Sequence, residues 1–178
     1  MARKREVPKL DANGLWEYAL RALARRALAA GELRVRLERR AQSGDLVPGV
    51  LARLKEYGYL DDRRFAETYA AARKENQGLG RIRVLRDLRV RRVAPALAEQ
   101  AVKQAYAGSD ETALVEDFLR RKFRNRNLPE YLSKEKNLAS AYRKLRYAGF
   151  SPGVAIRVLK KYSDRAEELE ETDEKSGE

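Results

Sequence analysis

The 178 residues carry 39 Lys and Arg against 27 Asp and Glu, a formal net charge of +12 with a pI near 10.0. There is no Cys and no His, which excludes disulfides, Cys/His metal sites, and thiol or imidazole catalysis. Hydrophobic residues reach 43% but aromatics only 8%, charged residues are 37%, and helix formers dominate, so an all-α protein with thin helices and broad wet faces is expected. No apolar run is long enough to span a bilayer, so a cytoplasmic protein without a membrane partner is the expectation.

Residues 1–12 read as a basic arm. Asp11 or Asn13 can cap a first helix bearing Leu15, Trp16, Ala19, Leu20, Leu23 and Leu28. Gly31 interrupts, a second helix carries Leu33, Leu37 and Ala41, and a third starts near Pro48 with Val50, Leu51, Leu54 and Tyr57 on one side. Gly58 suits a left-handed helix exit, and Asp61 and Asp62 stand where an N-cap and a first-turn carboxylate are wanted. The next helix places Phe65, Ala66, Tyr69 and Ala70 on one face; Asn76 to Gly80 break it, and Ile82, Leu85 and Leu88 restart the period. Arg73 falls on that apolar stripe, as a stem covering apolar surface or as an ion-pair partner of Asp61 or Asp62.

An apolar-x-Pro-small-aliphatic pattern occurs three times, around Pro48, Pro95 and Pro152. Proline fits the first helical turn, where an N–H would go unpaired. Leu85 and Leu88 stand as far before Pro95 as Tyr142 and Leu145 stand before Pro152. This implies three three-helix modules (13–58, 59–107 and 108–162) that lean on one another; a single irregular bundle is the competing architecture. Arg124 to Lys136 is the least defined part, with Asn125, Asn127 and Pro129 marking a turn. Residues 163–178 form an acidic tail: after Ser163, eight carboxylates oppose Arg165 and Lys175, a net of −6 that leaves +18 on the rest. Disorder is expected past Thr172.

The chemistry points to binding. Gly78 and Gly80 without a Gly-Lys-Ser/Thr loop make a weak phosphate cradle and a better helix connection, and Asp61-Asp62 read as caps before a metal pair. Neither an enzyme nor a cofactor is expected. The basic helix faces carry the signal: Arg83, Arg86 and Arg89; Arg120 and Arg121 with Lys122, Arg124 and Arg126; Arg143 and Lys144 with Arg146; and Arg157, Lys160 and Lys161. Few carboxylates are interleaved: Asp87 stands alone among six arginines from 81 to 92. Arginine forks suit phosphate or carboxylate, so the partner is a polyanion or an acidic protein surface, with direct DNA binding by helix-turn-helix-like units as the rival.

Gly58-Tyr59-Leu60-Asp61-Asp62, then Arg64-Phe65-Ala66, Tyr69, Arg73, Gly78, Gly80-Arg81-Ile82 and Leu85 together resemble the RecX family of bacterial recombination regulators. Glu32-Leu33 with Leu37, and Ala148-Gly149-Phe150 with Ile156, extend the resemblance over about residues 15–162. Two positions depart from the family pattern: Gly31, where Ser is frequent, and Arg91-Arg92, where a Gly is usual. The resemblance implies tandem three-helix modules in an elongated, curved array, and a protein that is not an enzyme. It implies a regulator that binds the RecA–DNA filament, contacts single- or double-stranded DNA directly or through RecA, and limits ATPase, strand exchange and filament extension in recombination, repair and the SOS response. A monomer is expected, since basic repeat arrays need not be oligomers. The acidic tail would then compete for the basic face or serve solubility alone.

Overall fold

A computed structural model describes residues 9–169, which are helical throughout except for turns and one isolated parallel bridge between Leu10 and Ala41. The basic arm before Lys9 and the acidic stretch after Leu169, where tail disorder was expected, lie outside the described residues. The helices are α1 (Ala12–Arg25), α2 (Ala30–Glu38), α3 (Leu46–Glu56), α4 (Asp62–Gln77), α5 (Arg81–Val90), α6 (Pro95–Ala105), α7 (Glu111–Lys122), α8 (Leu128–Leu132), α9 (Glu135–Ala148) and α10 (Pro152–Leu159), followed by a 3-10 turn at Asp164–Glu167. The order is two consecutive trios and then a set of four, because the poorly defined stretch between α7 and α9 holds the short α8.

The chain divides into two compact units: residues 9–68 with 88–101, and residues 69–87 with 102–169. In the first, α1, α2 and α3 enclose Leu15, Ala19, Leu33, Leu37, Val50, Leu51 and Leu54, the stripe expected from helical spacing. Asp11 caps α1 by accepting from the Gly14 N–H at 2.8 Å. In the second, α7, α9 and α10 surround Val115, Leu119, Leu138, Leu145, Phe150 and Leu159, and Ala166 of the 3-10 turn is buried with them.

Several expectations need correction. Gly31 does not form the break before the second helix, which falls between Arg25 and Ala30, but lies in the first turn of α2. A Cβ there would sit 2.4 Å from the Arg92 carbonyl oxygen, so the close backbone approach requires glycine. The second helix start has no cap from its own Ala29; Asp62 supplies it, accepting from the Ala30 N–H at 2.7 Å. Asp61 caps its own helix through the Arg64 N–H at 2.9 Å. Arg73 keeps the packing role, its guanidinium 4.7 Å from the Tyr69 ring centre. On α5 the buried pair is Val84 and Leu88, while Ile82 is 52% exposed, so the stripe is rotated from the one spacing suggested. The third helix starts at Leu46, two residues before Pro48, whereas Pro95 and Pro152 do open α6 and α10.

The Arg91-Arg92 departure is resolved by the backbone. Arg92 takes φ +61°, and the Val93 and Arg92 N–H groups donate to the carbonyls of Leu88 (3.1 Å) and Arg89 (2.9 Å). That is the helix-ending turn a glycine would make, built here with an arginine in the left-handed region.

Candidate polyanion-binding groove

Within the second unit, the ends of α4 and α7 meet α9 around an open cavity of about 720 Å³. Gly78, at φ +61°, ends α4, and its N–H and that of Leu79 donate to Lys74 and Arg73 carbonyls, which turns Leu79 into the cavity wall. The Gly80 N–H donates to the Ala148 carbonyl at 2.8 Å, and a Cβ on Gly80 would stand 2.3 Å from the Gly149 carbonyl oxygen. The Gly78–Gly80 connection is therefore a helix junction with its amides in use, not a phosphate cradle. Arg121 donates to the Glu75 carbonyl at 3.0 Å, which ties the end of α7 to the end of α4.

Arg121, Lys122, Arg143 and Lys144 line this cavity with Leu79, Phe118 and Tyr147, and among the described residues no carboxylate lines it. Lys144 donates to Ser140 Oγ at 2.5 Å, and its ammonium lies 5.9 Å from the Phe123 ring centre. Arg143 is exposed. Tyr147 is 69% exposed, and the guanidinium groups of Arg83 and Arg86 lie 4.4 and 6.0 Å from its ring centre. Arg83 is half-buried, bound to Asp87 at 2.9 Å and donating to the Tyr147 carbonyl at 3.2 Å. Its hydrogen bonds to Tyr147 and then Asp87 hold its pKa above the ordinary arginine value.

Five of the ten residues singled out by charge thus gather at or beside one groove: Arg83, Arg86, Arg121, Arg143 and Lys144. The other five do not. Arg89 pairs with Glu99 at 3.1 Å, Arg120 with Asp117, Lys160 with Glu167, and Lys161 with Glu116 at 2.5 Å, while Arg157 is exposed on α10. The hydrogen bond to Glu116 raises the Lys161 pKa, and that to Asp117 raises Arg120. Local counting of carboxylates missed these pairs because three of the four acids come from outside the cation's own helix. It also missed Tyr147, which is out of phase with the buried positions of α9 but interleaved with Arg143, Lys144 and Arg146, a pattern readable in the sequence.

The first unit has a second basic concavity of about 330 Å³, lined by Tyr18, Arg21, Arg25, Arg26 and Arg36. Here three of the four arginines, Arg21, Arg26 and Arg36, have carboxylate partners. Glu32 receives Arg36 at 3.0 Å and Arg91 at 3.4 Å, and Arg26 as well, while Arg21 pairs with Glu17. Partial burial alone would raise the Glu32 carboxyl, but the hydrogen bond and charge of Arg26, with the charges of Arg36 and Arg91, outweigh it and hold Glu32 below the ordinary carboxylate value.

Among the described residues no helix is long and apolar enough to cross a membrane, and no group of three His, Cys, Asp or Glu side chains is placed to hold a metal. Fold and site define an all-helical protein of three-helix units with a cationic groove. Residues 61–102 match the family model "RecX, second three-helix domain". The regulatory protein RecX of Deinococcus radiodurans is 32% identical over 162 residues, covering 91% of this chain and 74% of that protein. RecX of Streptomyces coelicolor is 29% identical, covering 97% and 88%. The crystal structure of RecX from Lactobacillus salivarius shares the fold with a TM-score of 0.62 at 15% identity, over 85% of this chain and 96% of that one. The chain belongs to the RecX family of regulatory proteins.

Proposed function

We propose that the protein regulates the RecA recombinase, as an inhibitor, by binding the RecA–DNA filament and limiting ATPase activity, strand exchange and filament extension. The single observation that supports this use of the chain is the convergence of Arg121, Lys122, Arg143 and Lys144 on one groove that no described carboxylate lines, in a member of a regulatory family. Cations already held by carboxylates gain little from a new anion. Cations facing one another across a groove repel and are relieved by one. Arg89, Arg120, Arg157, Lys160 and Lys161 form secondary contacts in this reading. The protein works by binding, as a cytoplasmic monomer, with no catalysed step and no cofactor.

The test is the single-stranded-DNA-dependent ATPase of RecA with added protein. Inhibition is expected, and Arg143→Glu with Lys144→Glu is expected to need at least about tenfold more protein for the same effect. Equal inhibition by the variant would remove the groove from the mechanism. A second reading, a stand-alone nucleic-acid binder, is favoured by the exposed Tyr147 beside two guanidinium groups. In that case inhibition disappears when RecA is given excess DNA, and binding weakens steeply with salt as counterions are released.

A further inference from the structure

The groove is more than a charge trap, because one of its walls is an exposed aromatic ring. Tyr147 lines the cavity, is 69% exposed, and carries the guanidinium of Arg83 4.4 Å from its ring centre. A ring left this open on a helix contributes little to packing, yet the Arg83–Asp87 ion pair and the hydrogen bond from Arg83 to the Tyr147 carbonyl fix the arginine against it. An ordered π-face beside cations spaced along a groove is the arrangement that binds single strands: phosphates follow the charge while a base stacks on the ring. Phe118, half-buried and edge-on to Phe150 at 5.7 Å, adds apolar floor next to it.

We propose that the Tyr147 ring is a stacking platform for an unpaired nucleobase, with Arg143, Lys144, Arg121 and Lys122 taking the flanking phosphates. This rests on the same groove being the polyanion-binding face, and it specifies the ligand as single-stranded nucleic acid rather than duplex or an acidic peptide. A duplex keeps its bases stacked inside and offers only phosphates to the rim. An acidic peptide satisfies the cations and leaves the ring's stacking face unused.

Fluorescence anisotropy with a labelled thymidine oligonucleotide and an abasic oligonucleotide of the same length separates base from phosphate. With the full chain, the thymidine strand is expected to bind about tenfold more tightly than the abasic one, within the range of one stacked base. Tyr147→Leu is expected to abolish that difference while leaving abasic binding unchanged, and Tyr147→Phe to retain it. The site is exposed, so the leucine variant should fold; an unchanged circular dichroism melt checks this. Equal affinity for both strands overturns the proposal, as does a difference that survives Tyr147→Leu. Displacement of the thymidine strand by polyglutamate at matched charge also overturns it, in favour of an acidic-peptide site. If the base preference is absent but Arg143→Glu with Lys144→Glu still impairs RecA inhibition, the regulatory reading stands and only the stacking platform falls.

Discussion

Helices α5 and α9 are two copies of one element, 57 residues apart, and they agree and differ in separate places. Inside, they match: Val84 and Ala141, Leu88 and Leu145, and Val93 and Phe150 are all buried. Their exits match as well, with Arg92 and Gly149 at φ +61° and +90° and with the Val93 and Phe150 N–H groups donating to Leu88 and Leu145. Each turn receives the start of another helix at a glycine, Gly31 against Arg92 and Gly80 against Gly149. Outside, Arg86, Asp87 and Val90 of α5 face Arg143, Lys144 and Tyr147 of α9 at the corresponding positions. The carboxylate that neutralises Arg83 in one copy is replaced by a cation in the other, and an exposed valine by an exposed tyrosine. Backbone junctions constrain the inner face and the turn, whereas the outer face is open to chemistry.

The largest effect should come from breaking the shared junction. Gly80→Ala and Gly31→Ala each push a methyl group to within 2.4 Å of a backbone carbonyl oxygen. Each should lower unfolding free energy by about 2–3 kcal/mol in denaturant titrations. A neutral result at either site would mean the two junctions are not equivalent. Next, Lys144→Asp makes the outer face of α9 resemble that of α5. Oligonucleotide affinity measured by anisotropy should fall about tenfold, or ~1.4 kcal/mol.

A smaller effect distinguishes the second copy's turn, where Arg91 binds Glu32, from the third copy's, where Ala148 is buried at the same position. Glu32→Gln should cost about 1 kcal/mol, reduced from the value for a buried network because Arg26 and Arg36 are 43% and 35% exposed. The folded pKa of Glu32 lies below its unfolded value, so its contribution is present above the unfolded pKa and is lost as pH falls through the folded one. Thermal melts should therefore show less loss below the ordinary carboxylate pKa in Glu32→Gln than in the parent. The smallest effect has the opposite sign: Arg92→Gly relieves a left-handed arginine and should stabilise by about 0.5–1 kcal/mol.

How far the sequence could be read follows the same division. Inner positions such as Leu33, Leu37, Leu51 and Leu54 repeat at helical spacing, and the glycine at 58 marks a turn because few other residues adopt φ +72°. On α5 the expected stripe of Ile82, Leu85 and Leu88 left out Val84, which is fully buried while Ile82 is exposed, because helical spacing gives the period but not which side of the helix meets the core. Asp62 was read as belonging to its own helix, but its partner is the Ala30 N–H thirty-two positions away. The site was half legible for a similar reason. Charge density pointed to Arg143 and Lys144, yet gave equal weight to Arg89 and Lys161, whose carboxylates Glu99 and Glu116 lie on α6 and α7.

The central claim is that uncompensated cations, and not total charge, make the binding face. It is tested by measuring oligonucleotide affinity against salt for two variants that each lose two positive charges: Arg143→Gln with Lys144→Gln, and Arg89→Gln with Arg120→Gln. The groove variant is expected to lose at least about tenfold in affinity and to show a shallower salt dependence, while the paired-site variant changes less than about twofold. Equal losses in the two would contradict the claim.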